Sequence, residues 1–165
     1  LPALEVTLRS WLKLGFTFKV RWKIKSLWRH DPHLILAKIF DSTYRKKSSH
    51  HRIKLMKKLV NLNSEAFVLG RIAIASSAFR SGSYNEAVKF LNEANSHEKT
   101  YRAYHLLAFT KKALGNSLGF QNNLAKSEMF RKKDHYFCNS CVYVSAKWSA
   151  KCNSCSSYDS LEWNS

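Results

Sequence analysis

The chain has 165 residues, of which 45% are hydrophobic, and a formal net charge of +17 at pH 7. This length suffices for one ordinary domain, or for a modest domain with an appendage, and it allows a buried core. No apolar run approaches the roughly 18 residues of a membrane-spanning helix, and no signal peptide is visible. Five Gly and two Pro are too few for many short strands joined by tight turns, so the composition predicts a mostly helical protein.

Positive charge is concentrated at the start of the chain. Residues 1–60 carry fifteen Lys or Arg against three acidic residues, residues 61–134 carry eleven against six, and the remainder carries two against two. Such a surface attracts polyanions, which include nucleic acid, anionic lipid headgroups and acidic proteins. Solvated helix faces with a Lys-rich composition are the plainer alternative.

The first unit of the chain has apolar residues at helical spacing on both sides of a glycine. They are Leu4, Leu8, Trp11, Val20, Ile24, Leu27 and Trp28 around Gly15. Residues 16–25 also alternate apolar and basic, which is typical of a half-buried strand. We predict a helix there because the helical stripe continues to Trp28. That helix leaves Phe18 and Trp22 partly unburied, so that they could meet a membrane, a partner or upstream residues.

Three further units follow in chain order. The second is degenerate, with Leu34, Leu36, Ala37 and Phe40 on one helix and Ile53, Met56, Leu59 and Leu62 on the next. In the third, Val68, Ile72, Ala75 and Phe79 precede Gly82, and Tyr84, Ala87, Leu91 and Ala94 follow it. The fourth repeats this frame 33 residues later around Gly115, with Tyr104, Leu107, Ala108, Phe120, Leu124 and Ala125. This pattern resembles the tetratricopeptide repeat, in which helical hairpins stack into a superhelix.

The four cysteines of the chain lie in two Cys-Asn-Ser-Cys segments separated by ten residues. Each CxxC pair can present two thiolates to one ion, so Cys138, Cys141, Cys152 and Cys155 predict a structural tetrahedral site in a small zinc ribbon. Iron held in a rubredoxin-like way, two disulfides and a redox pair are the alternatives. Knuckles of this kind usually have Gly after the second cysteine, where Val142 and Ser156 stand here. Trp148, Tyr158, Leu161 and Trp163 are expected to form the small core of the ribbon and its seam with the last helix.

The predicted organisation is therefore mostly α. Residues 1–134 form a tetratricopeptide-like domain of about four helix pairs, and residues 135–165 form the zinc-ribbon or rubredoxin-like tail.

The tail closely resembles the end of alphaproteobacterial HemY-type tetratricopeptide proteins, where two CxxC knuckles flank a Trp and precede an aromatic-Asp-Ser-Leu-Glu-Trp ending. Residues 158–163 match that ending, and the order of the upstream segments also matches. The resemblance implies a scaffold of the bacterial inner membrane, anchored by N-terminal segments outside this chain, with this part on the cytoplasmic face. It also implies a link to haem synthesis from tetrapyrrole (porphyrin) precursors, with haem-biosynthesis enzymes as candidate partners. LapB-type adaptors of envelope and lipopolysaccharide regulation are the second resemblance.

We expect no catalysis, since the sequence has no GxGxxG motif and no nucleophile and base at recognisable spacing. Stacked helix pairs bind proteins along the groove formed by the first helix of each pair. The repeat frame predicts that partner-binding residues include Arg9, Lys13, Leu69, Phe79, Arg80, His105 and Lys112, with Ile72 and Phe109 either there or in the packing between repeats. Basic side chains among apolar ones suit an acidic segment or a C-terminal carboxylate.

A nucleic-acid-binding zinc protein is the alternative of another class. The charge distribution disfavours it, because the ribbon is balanced in charge while the basic surplus lies at the other end of the chain. An anionic membrane surface near the basic first third is a further candidate partner.

Overall fold

The computed structural model describes residues 2–130, 135–141, 143–145 and 148–164. In these residues it contains eight helices, which confirms the mostly α fold: α1 (Pro2–Lys13), α2 (Thr17–His30), α3 (Leu34–Ser42), α4 (Ser49–Val60), α5 (Phe67–Arg80), α6 (Tyr84–His97), α7 (Tyr101–Ala113) and α8 (Ser117–Met129). Three short strands follow: β1 (His135–Cys138), β2 (Val144–Ser145) and β3 (Leu161–Asn164). Among the described residues, none of the helices is long and apolar enough to cross a membrane.

Three of the four described helical hairpins have the same turn. Gly82 has φ +79°, and the next residue, Ser83, donates its N–H to the carbonyl of Ala78 at 2.9 Å. Equivalent backbone bonds close the turns at Gly15 and Gly115, whose φ angles are +84° and +74°. This conformation is strained for residues with a Cβ and easy for glycine, so the glycine spacing in the sequence marks the repeats.

The second hairpin departs from this pattern. Its first helix, α3, has nine residues, and the loop that follows runs from residue 43 to residue 48 without a glycine. The loop carries three consecutive cations, Arg45, Lys46 and Lys47, all exposed. The degenerate repeat of the sequence is therefore a hairpin with a longer, basic loop.

The helices stack as a repeat array. The first helices of successive pairs contact one another, since α3 contacts both α1 and α5, and α5 contacts α7. Buried side chains form one continuous core from Leu8 to Leu107. Ala75, Ala87 and Ala94 are all fully buried, which allows the close helix approach that their small size predicts.

Residues 17–30 are helical, as predicted against their alternating pattern. In α2 the residues Val20, Ile24 and Trp28 are completely buried, whereas Phe18 and Trp22 are exposed. The helical stripe prevails because a helix places Leu27, which also packs on the core, on the same face as Val20, Ile24 and Trp28, whereas a strand would turn Leu27 to the opposite face.

The strands form one antiparallel sheet in the order β2-β1-β3. Tyr136 pairs with Ser145 on one side and with Trp163 on the other. The chain divides into two compact units, Leu1–Phe130 and Arg131–Ser165. The predicted boundary follows residue 134, and residues 131–134 lie outside the described residues.

Candidate metal centre and basic clefts

The four cysteine sulfurs converge at one point of the second unit. Cys138 Sγ lies 3.6 Å from Cys155 Sγ, Cys141 Sγ lies 3.8 Å from Cys152 Sγ, and all four sulfurs lie within 4.8 Å of one another. Four thiolates at the usual 2.3 Å from one ion form a tetrahedron with edges of about 3.8 Å. The sulfur geometry therefore fits a single tetrahedral metal ion, and within the described residues all four cysteines are free.

Two similar backbone loops position the sulfurs. In the first knuckle the N–H of Cys138 binds the carbonyl of Tyr143 at 2.9 Å, and in the second the N–H of Cys152 binds the carbonyl of Ser157 at 2.8 Å. Each bond spans five residues and closes a loop around one CxxC pair. Cys138 and Cys152 are buried, Cys141 is half-buried and Cys155 is exposed, so one edge of the centre faces solvent.

Hydroxyl and backbone groups shift the pKa values of these thiols. Hydrogen bonding with Ser160, whose hydroxyl lies 3.2 Å from the sulfur, lowers the pKa of Cys138 from 9.0 to about 6. Hydrogen bonding with the hydroxyl and the backbone of Ser157 lowers the pKa of Cys155. The N–H of Tyr143 acts to lower the pKa of Cys141, but burial and the neighbouring thiols raise that pKa to about 11. Ser160 and Ser157 thus support thiolates from outside the ligand set, a role that the sequence pattern alone does not reveal.

The residue after the second cysteine of the second knuckle has a left-handed backbone, which is the conformation for which glycine usually stands at this position. Ser156, directly after Cys155, has φ +62°, and its N–H donates to the carbonyl of Cys152 at 2.9 Å. A non-glycine residue in this region carries a conformational cost of about 1 kcal/mol. Val142, the equivalent residue of the first knuckle, lies outside the described residues.

The aromatic side chains around the ribbon differ from the prediction. Trp148 is 56% exposed and Tyr158 is 72% exposed, so their expected place in the ribbon core is wrong. Leu161 is buried as predicted, beside Cys138 and Cys152. A three-stranded sheet with two- and four-residue strands has too little surface to cover more aromatic rings, and the cysteines occupy its centre. The side chain of Trp163 lies outside the described residues.

The helical unit contains a buried ionic cluster that the sequence did not predict. Asp41, at the end of α3, accepts two hydrogen bonds from Arg52 of α4, at 3.1 and 2.6 Å. It also accepts from the Ser77 hydroxyl at 2.6 Å and from Arg80 at 2.9 Å. Burial acts to raise the pKa of Asp41, but these partners outweigh it and the pKa is lowered. One carboxylate therefore joins three helices.

Two adjoining clefts open beside this cluster. The loop cleft, of about 560 Å³, lies between the first hairpin and the 43–48 loop, and the Asp41 cleft, of about 440 Å³, lies between α1, α3 and α5. Both clefts include Arg9, Ser42 and Arg45. Their other cationic lining residues are Lys13, Arg21, Lys46 and Lys47 in the loop cleft, and Lys38, Arg52 and Arg80 in the Asp41 cleft.

The structure brings together three of the predicted partner-binding residues. Arg9 and Lys13 line the loop cleft, and Arg9 and Arg80 line the Asp41 cleft. The other four residues line neither of these clefts in the described part of the chain. Their positions are as follows: Leu69 and Phe79 pack partly buried against the core, His105 lies between the rings of Tyr101 and Phe109, and the Lys112 ammonium lies 5.2 Å from the Phe120 ring centre. Ile72 is buried, in agreement with a packing role.

Sequence reasoning did not identify the 43–48 loop or Lys38 as part of this surface. The run of three cations in a segment without repeat signature was a usable signal. Asp41 gave a weaker signal, as one of three acidic residues among the first sixty.

No protein-family profile matches this sequence, and no curated protein matches it. The assignment of function therefore depends on the chemistry of the four-cysteine centre and of the two basic clefts.

Proposed function

We propose that the protein is a non-catalytic adaptor whose helical unit binds an acidic segment of a protein partner, while a structural zinc ion stabilises its ribbon. One observation carries the proposal: two joined clefts are lined by cations from the first helices of three successive pairs. Arg9 comes from α1, Lys38 from α3 and Arg80 from α5. Repeat proteins bind extended segments along the surface that these helices form.

The charge balance of the clefts favours an anionic ligand. Asp41 is the one carboxylate among the lining residues, and two guanidinium groups already share it. Arg45, Lys46 and Lys47 of the loop are exposed and add three positive charges beside it. Carboxylates of a partner would form charge-assisted hydrogen bonds with these groups, and an Arg side chain can bind a carboxylate through two of them.

A polypeptide suits the clefts better than nucleic acid does. Single-stranded nucleic acid is bound by cations together with aromatic faces on which bases stack. Tyr44 is the aromatic residue among the lining residues of the two clefts, and the Arg21 guanidinium covers its ring at 3.9 Å from the ring centre. Carboxylates need no such stacking surface.

Zinc is the proposed ion because four thiolates with no further ligand form the usual structural zinc site. Iron bound by the same ligands is the alternative that metal analysis of the purified protein distinguishes. The proposed link to haem synthesis at the inner membrane, and the second assignment as a LapB-type adaptor, have their support in the sequence resemblance. In either case the partner would be a protein with an acidic segment.

Fluorescence anisotropy with a labelled ten-residue peptide of alternating Glu and Gly tests whether the two clefts bind an acidic segment. We expect Arg45→Glu/Lys46→Glu to weaken binding about tenfold, which corresponds to about 1.4 kcal/mol. The control Lys99→Glu/Lys126→Glu makes the same change in net charge at exposed positions outside both clefts, and we expect less than a twofold effect.

Two outcomes would contradict the proposal. Equal weakening by both variants would mean that binding follows net charge and not the clefts. Tighter binding of a generic DNA duplex than of the peptide, with a steep salt dependence, would favour the nucleic-acid alternative.

A further inference from the structure

The first hairpin exposes large apolar side chains at its tip and on the outer face of α2. Leu14 and Phe16 in the turn are 69% and 53% exposed, and Phe18 and Trp22 on α2 are 83% and 63% exposed. Single exposed apolar residues are ordinary on protein surfaces, but four within nine residues of sequence form a patch. We call these four residues the hairpin patch.

The patch continues into a cationic stripe along the same helix face. Phe18, Trp22, Lys25 and Arg29 are spaced by four, three and four residues, so they lie on one face of α2. Lys25 and Arg29 are exposed, and the opposite face is the buried one. The helix therefore presents aromatic rings at its N-terminal end and cations at its C-terminal end.

No acidic residue interrupts this region of the sequence. Residues 6–30 contain seven Lys or Arg and no Asp or Glu. One cation near the patch already contacts an aromatic ring, since the Lys19 ammonium lies 4.1 Å from the centre of the Trp11 ring. The patch is thus an apolar surface surrounded by positive charge.

We propose that the hairpin patch docks on the surface of an anionic lipid bilayer. Aromatic rings with neighbouring Lys and Arg are the composition of segments that lie in the membrane interface, with the rings among the upper acyl chains and the cations at the headgroups. Leu14, Phe16, Phe18 and Trp22 provide the apolar contact, while Lys25 and Arg29 meet lipid phosphates. The surface is distinct from the two basic clefts, because none of these six residues lines them.

Other occupants fit the patch less well. A second copy of the chain would bring the same uninterrupted positive charge against it, which is repulsive. Nucleic acid binds cations and aromatic rings that line a groove, whereas these side chains project from a turn and from the outer face of a helix.

Vesicle flotation with the full chain tests the proposal. We expect the protein to float with vesicles of phosphatidylcholine containing 30% phosphatidylglycerol, and to float much less with phosphatidylcholine alone. Phe18→Ser/Trp22→Ser should reduce the partition coefficient about tenfold or more, because it removes the two most exposed rings of the hairpin patch. Lys25→Glu/Arg29→Glu should abolish the preference for phosphatidylglycerol. The control Leu118→Ser/Met129→Ser removes apolar side chains that are 68% and 78% exposed on α8, and it should leave partition unchanged.

A second measurement separates insertion from adsorption by charge alone. Lipids brominated near the headgroup should quench the tryptophan fluorescence of the wild type, and most of that quenching should be lost in Trp22→Phe. Circular dichroism should show unchanged helix content in every variant, because each substituted residue is exposed.

Three results would overturn the proposal. The first is no flotation with anionic vesicles, and the second is equal loss of flotation in the α8 control. The third is a dimer in sedimentation analysis that Phe18→Ser/Trp22→Ser dissociates, which would assign the patch to a second copy. Peptide binding in the clefts is measured without lipid, so failure of either proposal is visible without the other.

Discussion

Asp41 illustrates how one residue can determine the packing of three helices. Its carboxylate is 2% exposed and accepts hydrogen bonds from Arg52 of α4 and from Ser77 and Arg80 of α5. A buried carboxylate with this many donors keeps its charge. If the carboxylate were removed, the buried positive charge of its Arg partner would have no counter-charge, and this would lower the stability of the fold. Arg52 is itself 9% exposed, so it depends on Asp41, whereas Arg80 is 35% exposed and remains partly solvated.

We expect Asp41→Asn to lower the free energy of unfolding by about 3–5 kcal/mol, because it leaves the charge of Arg52 buried and unpaired. The loss should depend on pH. The pKa of Asp41 is lowered in the folded state from its ordinary 3.8, so its charge stabilises the fold fully above pH 4. This contribution declines as the pH falls from the ordinary value through the lowered pKa, so wild type and variant should converge only below the lowered pKa. Urea unfolding at pH 7 and at a series of decreasing pH values measures both effects.

A double variant separates the ion pair from the space that it occupies. Asp41→Leu/Arg52→Met removes both charges and keeps most of the volume, so it should cost much less than Asp41→Asn. An equal or larger loss would show that packing at these positions, and not an unpaired charge, determines the effect.

The cysteine ligands could be predicted from the sequence, and the Asp41 cluster could not. The spacing within and between the CxxC pairs is a local signal, and the knuckles that it specifies are closed by bonds over five residues. The partners of Asp41 lie 11, 36 and 39 residues away on other helices. Their meeting depends on the stacking of three helices, which no short-range pattern records.

At the scale of the element, the hairpins whose turns contain glycine were predictable, because Gly15, Gly82 and Gly115 have φ angles that favour glycine. The second hairpin gave no such signal. Its loop of six residues replaces a turn of three, and this difference places Arg45 in both clefts. The position where the repeat pattern fails is therefore the position where the surface acquires its charge.

The contact between α4 and α5 depends on the absence of a side chain. Gly70 lies inside α5, and a Cβ at this position would overlap the side chain of Val60, at the end of α4. Val is β-branched and stiff, so it cannot turn aside easily. The sequence signal here was weak. A glycine within a helix is usually unfavourable, which indicates a special role for Gly70, but the sequence does not show which residue it contacts.

We expect Gly70→Ala to destabilise the helical unit by about 1–2 kcal/mol, although alanine is the better helix former, because the added methyl overpacks this contact. Ser76→Ala on the same helix is the control and should change stability by less than about 0.5 kcal/mol. Thermal unfolding followed at 222 nm measures both. Adding Val60→Ala to Gly70→Ala should restore part of the loss; a further loss of stability would mean that the overlap is not the cause.

At the scale of the whole molecule, the two units differ in what their cores contain. The helical unit has a continuous apolar core drawn from α1 to α7, which hydrophobic periodicity predicted residue by residue at positions such as Trp28, Leu59 and Leu91. In the ribbon, the buried residues among those described are Cys138, Cys152, Ser160 and Leu161. The exposure of Trp148 and Tyr158 was not predictable, because aromatic residues near a ribbon can lie on either side of so small a sheet.

Metal removal should therefore destabilise the ribbon and leave the helical unit folded. A ribbon with so few buried side chains has little stability without its ion, whereas the helical core has no metal ligand. We expect a strong chelator to release one metal ion per chain and to expose four thiols to Ellman's reagent, while the helical signal at 222 nm changes by less than about a tenth. Cys138→Ser should abolish metal retention, whereas Asn153→Ala, at an exposed position of the second knuckle outside the ligand set, should retain it. Loss of the helical signal together with the metal would mean that the helices also need the ion.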